Sequence, residues 1–164
     1  MPSDRICLDT NIVISILSNN AGGHREPHVW EGIREITRDI DRGRSRLVLP
    51  TLVFAELLPS HGHDFDRLEA FLERRAVEFR ELTVKIARRA AELRDAGRLG
   101  ASRALRATDA VFLATAEISD TDVLYSADPD VYRAVGTTVR LERPYSRRMP
   151  LLPPADVPPP WNPA

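Results

Sequence analysis

Short apolar runs alternate along this chain with stretches in which apolar residues recur every three or four positions. The runs at residues 5–8, 46–49, 77–82, 122–125 and 138–142 predict five buried strands. Between them the spacing predicts helices, the first over residues 11–18 with Thr10 or Asn11 as cap. A second covers residues 28–42, where Val29, Ile33, Ile36 and Ile40 form one stripe and Gly43 ends the helix. A third starts at Pro50 and runs to Leu58, stopped by Pro59. Asp64 caps the next, which carries Phe65, Leu68, Phe71 and Leu72. Thr83 opens a long helix with Ile86, Ala90 and Leu93 on one face, closed by Gly97 and Gly100. Residues 108–118 read as a buried helix and 130–135 as a short one. This alternation predicts an α/β protein of three α/β/α layers, with a parallel sheet covered on both faces.

The pattern ends at Pro144. Eight of the 13 prolines lie from there onward, so residues 1–143 read as one domain and 144–164 as an extended, polyproline-like tail. At 164 residues, 43% hydrophobic and 29% charged, the chain can bury a core without covalent staples. Cys7 is the single cysteine, which excludes an internal disulfide and suits a reducing compartment. The apolar stretch at 6–17 is broken by Asp9, Asn11 and Ser15, so it reads as neither membrane anchor nor signal peptide; the expected location is the cytoplasm. A net charge of −1 argues against a protein that coats nucleic acid through bulk positive charge.

Four acids stand out against this background. Asp9 closes the first strand, and Asp128 lies just past the fourth. In an open parallel sheet, sites form outside the carboxyl ends of strands. Taken singly, each is explained more simply as a turn or cap residue. Glu56 sits in Leu52-Val53-Phe54-Ala55-Glu56-Leu57-Leu58, where every neighbour is apolar. A carboxylate in a buried helix must be paired, protonated or metal-bound, and an arginine partner serves as well as an ion. Asp109 opens an apolar helix, where capping is the simpler single explanation. Together the four can converge at the carboxyl edge, where their mutual repulsion calls for a divalent cation. Oxygen-only ligands suit Mg²⁺ or Mn²⁺.

At these residues the chain resembles the PIN-domain family. Ile6-Cys7-Leu8-Asp9-Thr10-Asn11 is similar to its first motif, Phe54-Ala55-Glu56-Leu57 to its second, and Thr108-Asp109-Ala110-Val111 to its third. Ser126-Ala127-Asp128-Pro129-Asp130-Val131-Tyr132 is similar to its fourth, with Ser126 and Tyr132 where the family often has threonine and phenylalanine. The ordered set spans residues 4–142. The resemblance implies strand order 3-2-1-4-5, a homodimer, and cleavage of single-stranded or structured RNA at a site of one or two Mg²⁺ or Mn²⁺ ions. Asp9, Glu56, Asp109 and Asp128 would be the ligands, Asn11 and Ser126 would orient them, and Asp130 would stand at the rim or cap a helix. It further implies a VapC-type toxin held by an antitoxin protein. A housekeeping RNA-processing nuclease and a non-catalytic RNA- or protein-binding module remain alternatives.

Other chemistries fit less well. A phosphatase or receiver domain needs a lysine late in the sheet, and the only lysine is Lys85, early in the long helix. His61-Gly62-His63-Asp64 suggests zinc, but Phe65 and Asp66 stand where further ligands would have to be. Among the arginines, Arg103 and Arg106 precede Asp109 and are the candidates for RNA contact. Arg88, Arg89 and Arg94 read mainly as a solvated helix face with ion pairs to Glu92 and Asp95.

Overall fold

Leu47, Val48 and Leu49 are fully buried in succession, as a strand covered on both faces requires. They belong to a five-stranded parallel sheet seen in a computed structural model, which describes residues 4–17, 27–57, 65–73, 77–99, 105–132 and 134–145. Its strands are β1 (Asp4–Leu8), β2 (Ser45–Pro50), β3 (Val77–Arg80), β4 (Val123–Tyr125) and β5 (Arg140–Glu142). Their order is β3-β2-β1-β4-β5, as expected, with every neighbouring pair parallel. The order reverses between β1 and β4, so the crevice where ligands bind in such sheets opens at the carboxyl ends of these two strands.

The helices are α1 (Thr10–Leu17), α2 (Pro27–Asp41), α3 (Leu52–Leu57), α4 (Phe65–Glu73), α5 (Val84–Leu99), α6 (Ala107–Ile118) and α7 (Pro129–Tyr132). They cover the sheet on both sides. The apolar stripe of α2 (Val29, Ile33, Ile36, Ile40) joins Ile12 of α1, Leu57 of α3, Leu68 of α4 and the strand residues in one core. A second cluster sets Ile86, Ala90 and Leu93 of α5 against Ala110, Leu113 and Ala114 of α6. Local chemistry sets several boundaries. Gly43 takes φ +65° and donates its N–H to the Ile40 carbonyl at 3.0 Å, ending α2 where a left-handed residue is needed. The Thr83 hydroxyl accepts the Ile86 N–H at 3.2 Å, opening α5.

Several expectations shift: β3 and β5 are shorter than the apolar runs, ending at Arg80 and starting at Arg140, and α1 begins at Thr10 itself. Pro50 does not start a helix; it closes β2 opposite Arg80, while Thr51 donates the 2.9 Å bond to the Arg80 carbonyl, so the missing proline N–H costs the ladder nothing there. Gly97 does not close α5, which carries it buried to Leu99. The last short helix is Pro129–Tyr132, ending earlier than the spacing suggests.

Pro144 is buried, and the chain there passes so close to α2 that a Cβ on Gly32 would meet the Pro144 carbonyl oxygen at 2.0 Å. Residues 146–164, which make up most of the predicted tail, lie outside the described residues, as do His61, His63, Asp64 and Arg103. No helix among the described residues is long and apolar enough to cross a membrane.

Candidate active site

Asp9 follows β1 directly and is only 4% exposed. Its N–H donates to the Tyr125 carbonyl at 3.0 Å, extending the β1–β4 ladder by one bond. Its own carbonyl accepts the N–H groups of Ile12 and Val13, so the same residue ends a strand and begins α1. The side chain is thereby held at the crevice. Oδ2 accepts a 2.7 Å hydrogen bond from the hydroxyl of Ser126, the fully buried residue just after β4. Ser126 Oγ in turn accepts the N–H of Asp128 at 3.0 Å, and Asp128 Oδ1 accepts the N–H of Asp130 at 2.8 Å. Asp128 therefore does cap α7, as the simpler reading had it, and lies beside Asp9 all the same.

Glu56 arrives from another direction. Its helix is less enclosed than the apolar sequence suggests: Ala55 is exposed and Glu56 only half-buried, because α3 lies at the rim with Val53 and Leu57 turned inward. The Thr10 hydroxyl donates to Glu56 Oε2, tying α1 to α3. No arginine partner takes this carboxylate in an ion pair among the described residues.

Asp109 is the third residue of α6, and Arg106 is the N-cap residue with no side-chain cap. The capping explanation thus does not apply to Asp109. Its Oδ2 is buried with no hydrogen-bond partner among the described residues. An acceptor buried in this way costs free energy on the order of 1–3 kcal/mol, more if charged.

Electrostatics show that the four acids share one neighbourhood. Burial, then the charges of Asp9 and Asp128, push the Asp109 carboxyl up to about 6; Arg106 opposes this and Glu56 adds to it. The Asp9 carboxyl is also raised, chiefly by burial. Hydrogen bonds from Ser126 and the Thr10 backbone work against the rise, and the charges of Glu56 and Asp128 add to it. Burial also pushes the Cys7 thiol well up, with Asp9 adding to the effect, so it is a packing residue rather than a thiolate ligand. Among the described residues, no three His, Cys, Asp or Glu side chains are gathered closely enough to hold a metal ion as they stand.

A PIN domain family model matches residues 6–136. The chain belongs to the PIN domain family. As a family, PIN domains are nucleases. No curated protein matches the sequence. Among solved structures, the chain is similar to VapBC2 from Rickettsia felis bound to a DNA fragment from its promoter, at 16% identity and TM-score 0.63, over 85% of this chain and 98% of that one. It is similar to DNA-bound VapBC from Salmonella typhimurium at 18% identity and TM-score 0.62, over 86% and 98%. A toxin–antitoxin complex from Klebsiella pneumoniae matches at 17% and 0.58, over 85% and 98%. At these identities the likeness is one of fold.

Not every residue singled out in this PIN domain reaches the crevice. Asn11 is exposed, and its backbone carbonyl accepts the Ser15 hydroxyl at 2.8 Å. Arg89 is structural: it donates to Glu117 at 2.6 and 3.2 Å, to Glu92 at 3.0 Å and to the Gly136 carbonyl at 2.6 Å. Arg94 donates to the Leu105 carbonyl at 3.2 Å. Arg106 is exposed near Asp109. Thr10, a candidate cap and part of the first motif in the sequence, is instead the first residue of α1, with Asp9 in the cap position; Glu117 carries no such mark. A hydroxyl adjoining Asp9 was the available signal for Thr10.

Proposed function

We infer that this chain is a Mg²⁺- or Mn²⁺-dependent endoribonuclease of the PIN family, acting on single-stranded or structured RNA. The observation that carries this reading is the orphaned, buried Oδ2 of Asp109 among three other carboxylates. A buried acceptor held beside like charges is the environment a hard cation relieves, and an all-oxygen donor set suits Mg²⁺ or Mn²⁺. Asp9, Glu56 and Asp109 would hold the ion or ions, with Asp128 completing the set directly or through water. A divalent ion bound there supplies water activation and neutralises charge at the scissile phosphate. The protein's part is positional. Ser126 fixes Asp9 and the turn carrying Asp128, while Asp130 steadies that turn through its backbone. Arg106, exposed near Asp109, would meet an RNA phosphate.

Biologically the reading is a toxin of a toxin–antitoxin pair, acting in the cytoplasm as a homodimer and held inactive by an antitoxin protein. Its support is family membership and the fold shared with VapBC assemblies and a toxin–antitoxin complex. An antitoxin-like gene immediately upstream would support it over a housekeeping RNA-processing role.

The test is cleavage of a labelled structured-RNA pool with Mn²⁺ or Mg²⁺, beside an EDTA control and Asp9→Asn protein purified identically. Metal-dependent cutting that disappears in the variant is the expected result. Equal cutting by both proteins would identify a contaminating nuclease. No cutting by folded protein that also fails to bind Mn²⁺ would leave a non-catalytic binding module.

A further inference from the structure

Thr10 stands between two of the four acids. It follows Asp9 directly in the chain, and its hydroxyl donates to Glu56 Oε2. The residue is 8% exposed and occupies the first position of α1, whose backbone is anchored by the Asp9 carbonyl. Glu56 is delivered by α3, only six residues long and packed on α1. A glutamate has three side-chain torsions, and nothing else among the described residues is seen to hold this one. A hydroxyl that grips one carboxylate oxygen removes most of that freedom and leaves the other oxygen for a ligand.

We propose that Thr10 is a positioning residue whose hydroxyl aims Glu56 at the acidic crevice, tying the α3 carboxylate to the start of α1 beside Asp9. This rests on the metal-nuclease reading. The hydroxyl matters as a donor: valine has nearly the same shape but cannot donate, whereas serine can. Groups that orient metal ligands typically affect metal affinity by about 10–100-fold.

Mn²⁺ affinity is measured calorimetrically on the full chain for the wild type, Thr10→Val, Thr10→Ser, Glu56→Gln and the Thr10→Val/Glu56→Gln double variant. Melting curves in EDTA check that each is folded. Thr10→Val is expected to bind Mn²⁺ about 10–100-fold more weakly, Thr10→Ser to bind nearly as the wild type does, and Thr10→Val to add nothing once Glu56 is glutamine. If Thr10→Val does not fold, Thr10→Ala carries the same comparison. Wild-type affinity in Thr10→Val, or equal loss in Thr10→Val and Thr10→Ser, overturns the proposal and leaves the nuclease reading standing. So does an additive loss in the double variant. A wild-type protein that binds no Mn²⁺ overturns both.

Discussion

The Ser126 hydroxyl donates to Asp9 Oδ2 at 2.7 Å across 117 residues of chain, joining the ends of the two strands between which the sheet order reverses. Both partners are buried, so removing the donor leaves an acid oxygen without compensation. Ser126→Ala should lower stability by about 1–3 kcal/mol and weaken Mn²⁺ binding about 10-fold or more. Ser126→Thr should retain both. Melting and calorimetric titration check this; unchanged Mn²⁺ affinity in Ser126→Ala would show that the bond only supports the fold.

Asp9→Asn, Glu56→Gln and Asp109→Asn should each abolish RNA cleavage with the fold intact. Asp109→Asn should do more. It removes a charge that burial and three neighbouring carboxylates disfavour, so the metal-free variant should melt higher than the wild type at pH 7.5. About 1 kcal/mol, or roughly 2–4 °C for a domain of this size, is expected. A variant that melts lower would make Asp109 a structural partner instead.

The same groups set a pH dependence with a definite sign. Asp109 titrates at about 6 when folded against 3.8 ordinarily, and Asp9 is raised too, so the native state holds these protons more tightly than the unfolded chain. The stabilising contribution of Asp109 is full below about 4 and is lost as pH rises through about 6, and Asp9 acts in the same direction. Glu117 is lowered from 4.5, through Arg89 and the Thr138 N–H against the effect of burial. Its contribution is lost only on acidification below that value, outside the window. Metal-free protein should therefore melt progressively lower from pH 5 to 7.5, and saturating Mn²⁺ should flatten or reverse the trend. A rise with pH in EDTA would contradict the raised acids.

Glu117 joins three segments, accepting from Arg89 of α5 and from the N–H of Thr138 at 2.7 Å. Arg89→Ala strips this nearly buried carboxylate of its main partner and should cost about 1.5–3 kcal/mol. Specific activity of the folded fraction should not change, since neither residue is near the four acids. A selective loss of activity at full stability would place Arg89 in substrate binding.

Gly32 should tolerate no side chain. The Pro144 carbonyl oxygen lies 2.0 Å from where a Cβ would stand, and backbone cannot move aside as a flexible side-chain tip can. Gly32→Ala should destabilise by about 1–3 kcal/mol. Truncation after Tyr145, which keeps the crossing, should leave stability and cleavage intact; loss of cleavage by the folded truncation would show that the tail reaches the site.

What the sequence determined by itself was the class of fold and which acids stand out as candidates, because both are written in local pattern. Strands buried on both faces must be short apolar runs, and a helix on a sheet must carry a stripe, so Ile6–Leu8 and Val29, Ile33, Ile36 and Ile40 declared themselves. Asp9 and Glu56 were visible as charges in apolar company. Tertiary structure alone decided what each acid meets. Whether Asp109 caps its helix depended on where α6 begins, and the start at Ala107 left the carboxylate in the first turn with a buried oxygen unpaired. Whether Glu56 is enclosed depended on α3 lying at the rim, which no helical pattern reveals. The Thr10–Glu56 and Ser126–Asp9 bonds depend on parallel strands bringing together residues 46 and 117 positions apart. Periodicity reports which face of an element is buried; hydrogen bonds and pKa depend on what another element places opposite, and that is settled only when the layers pack.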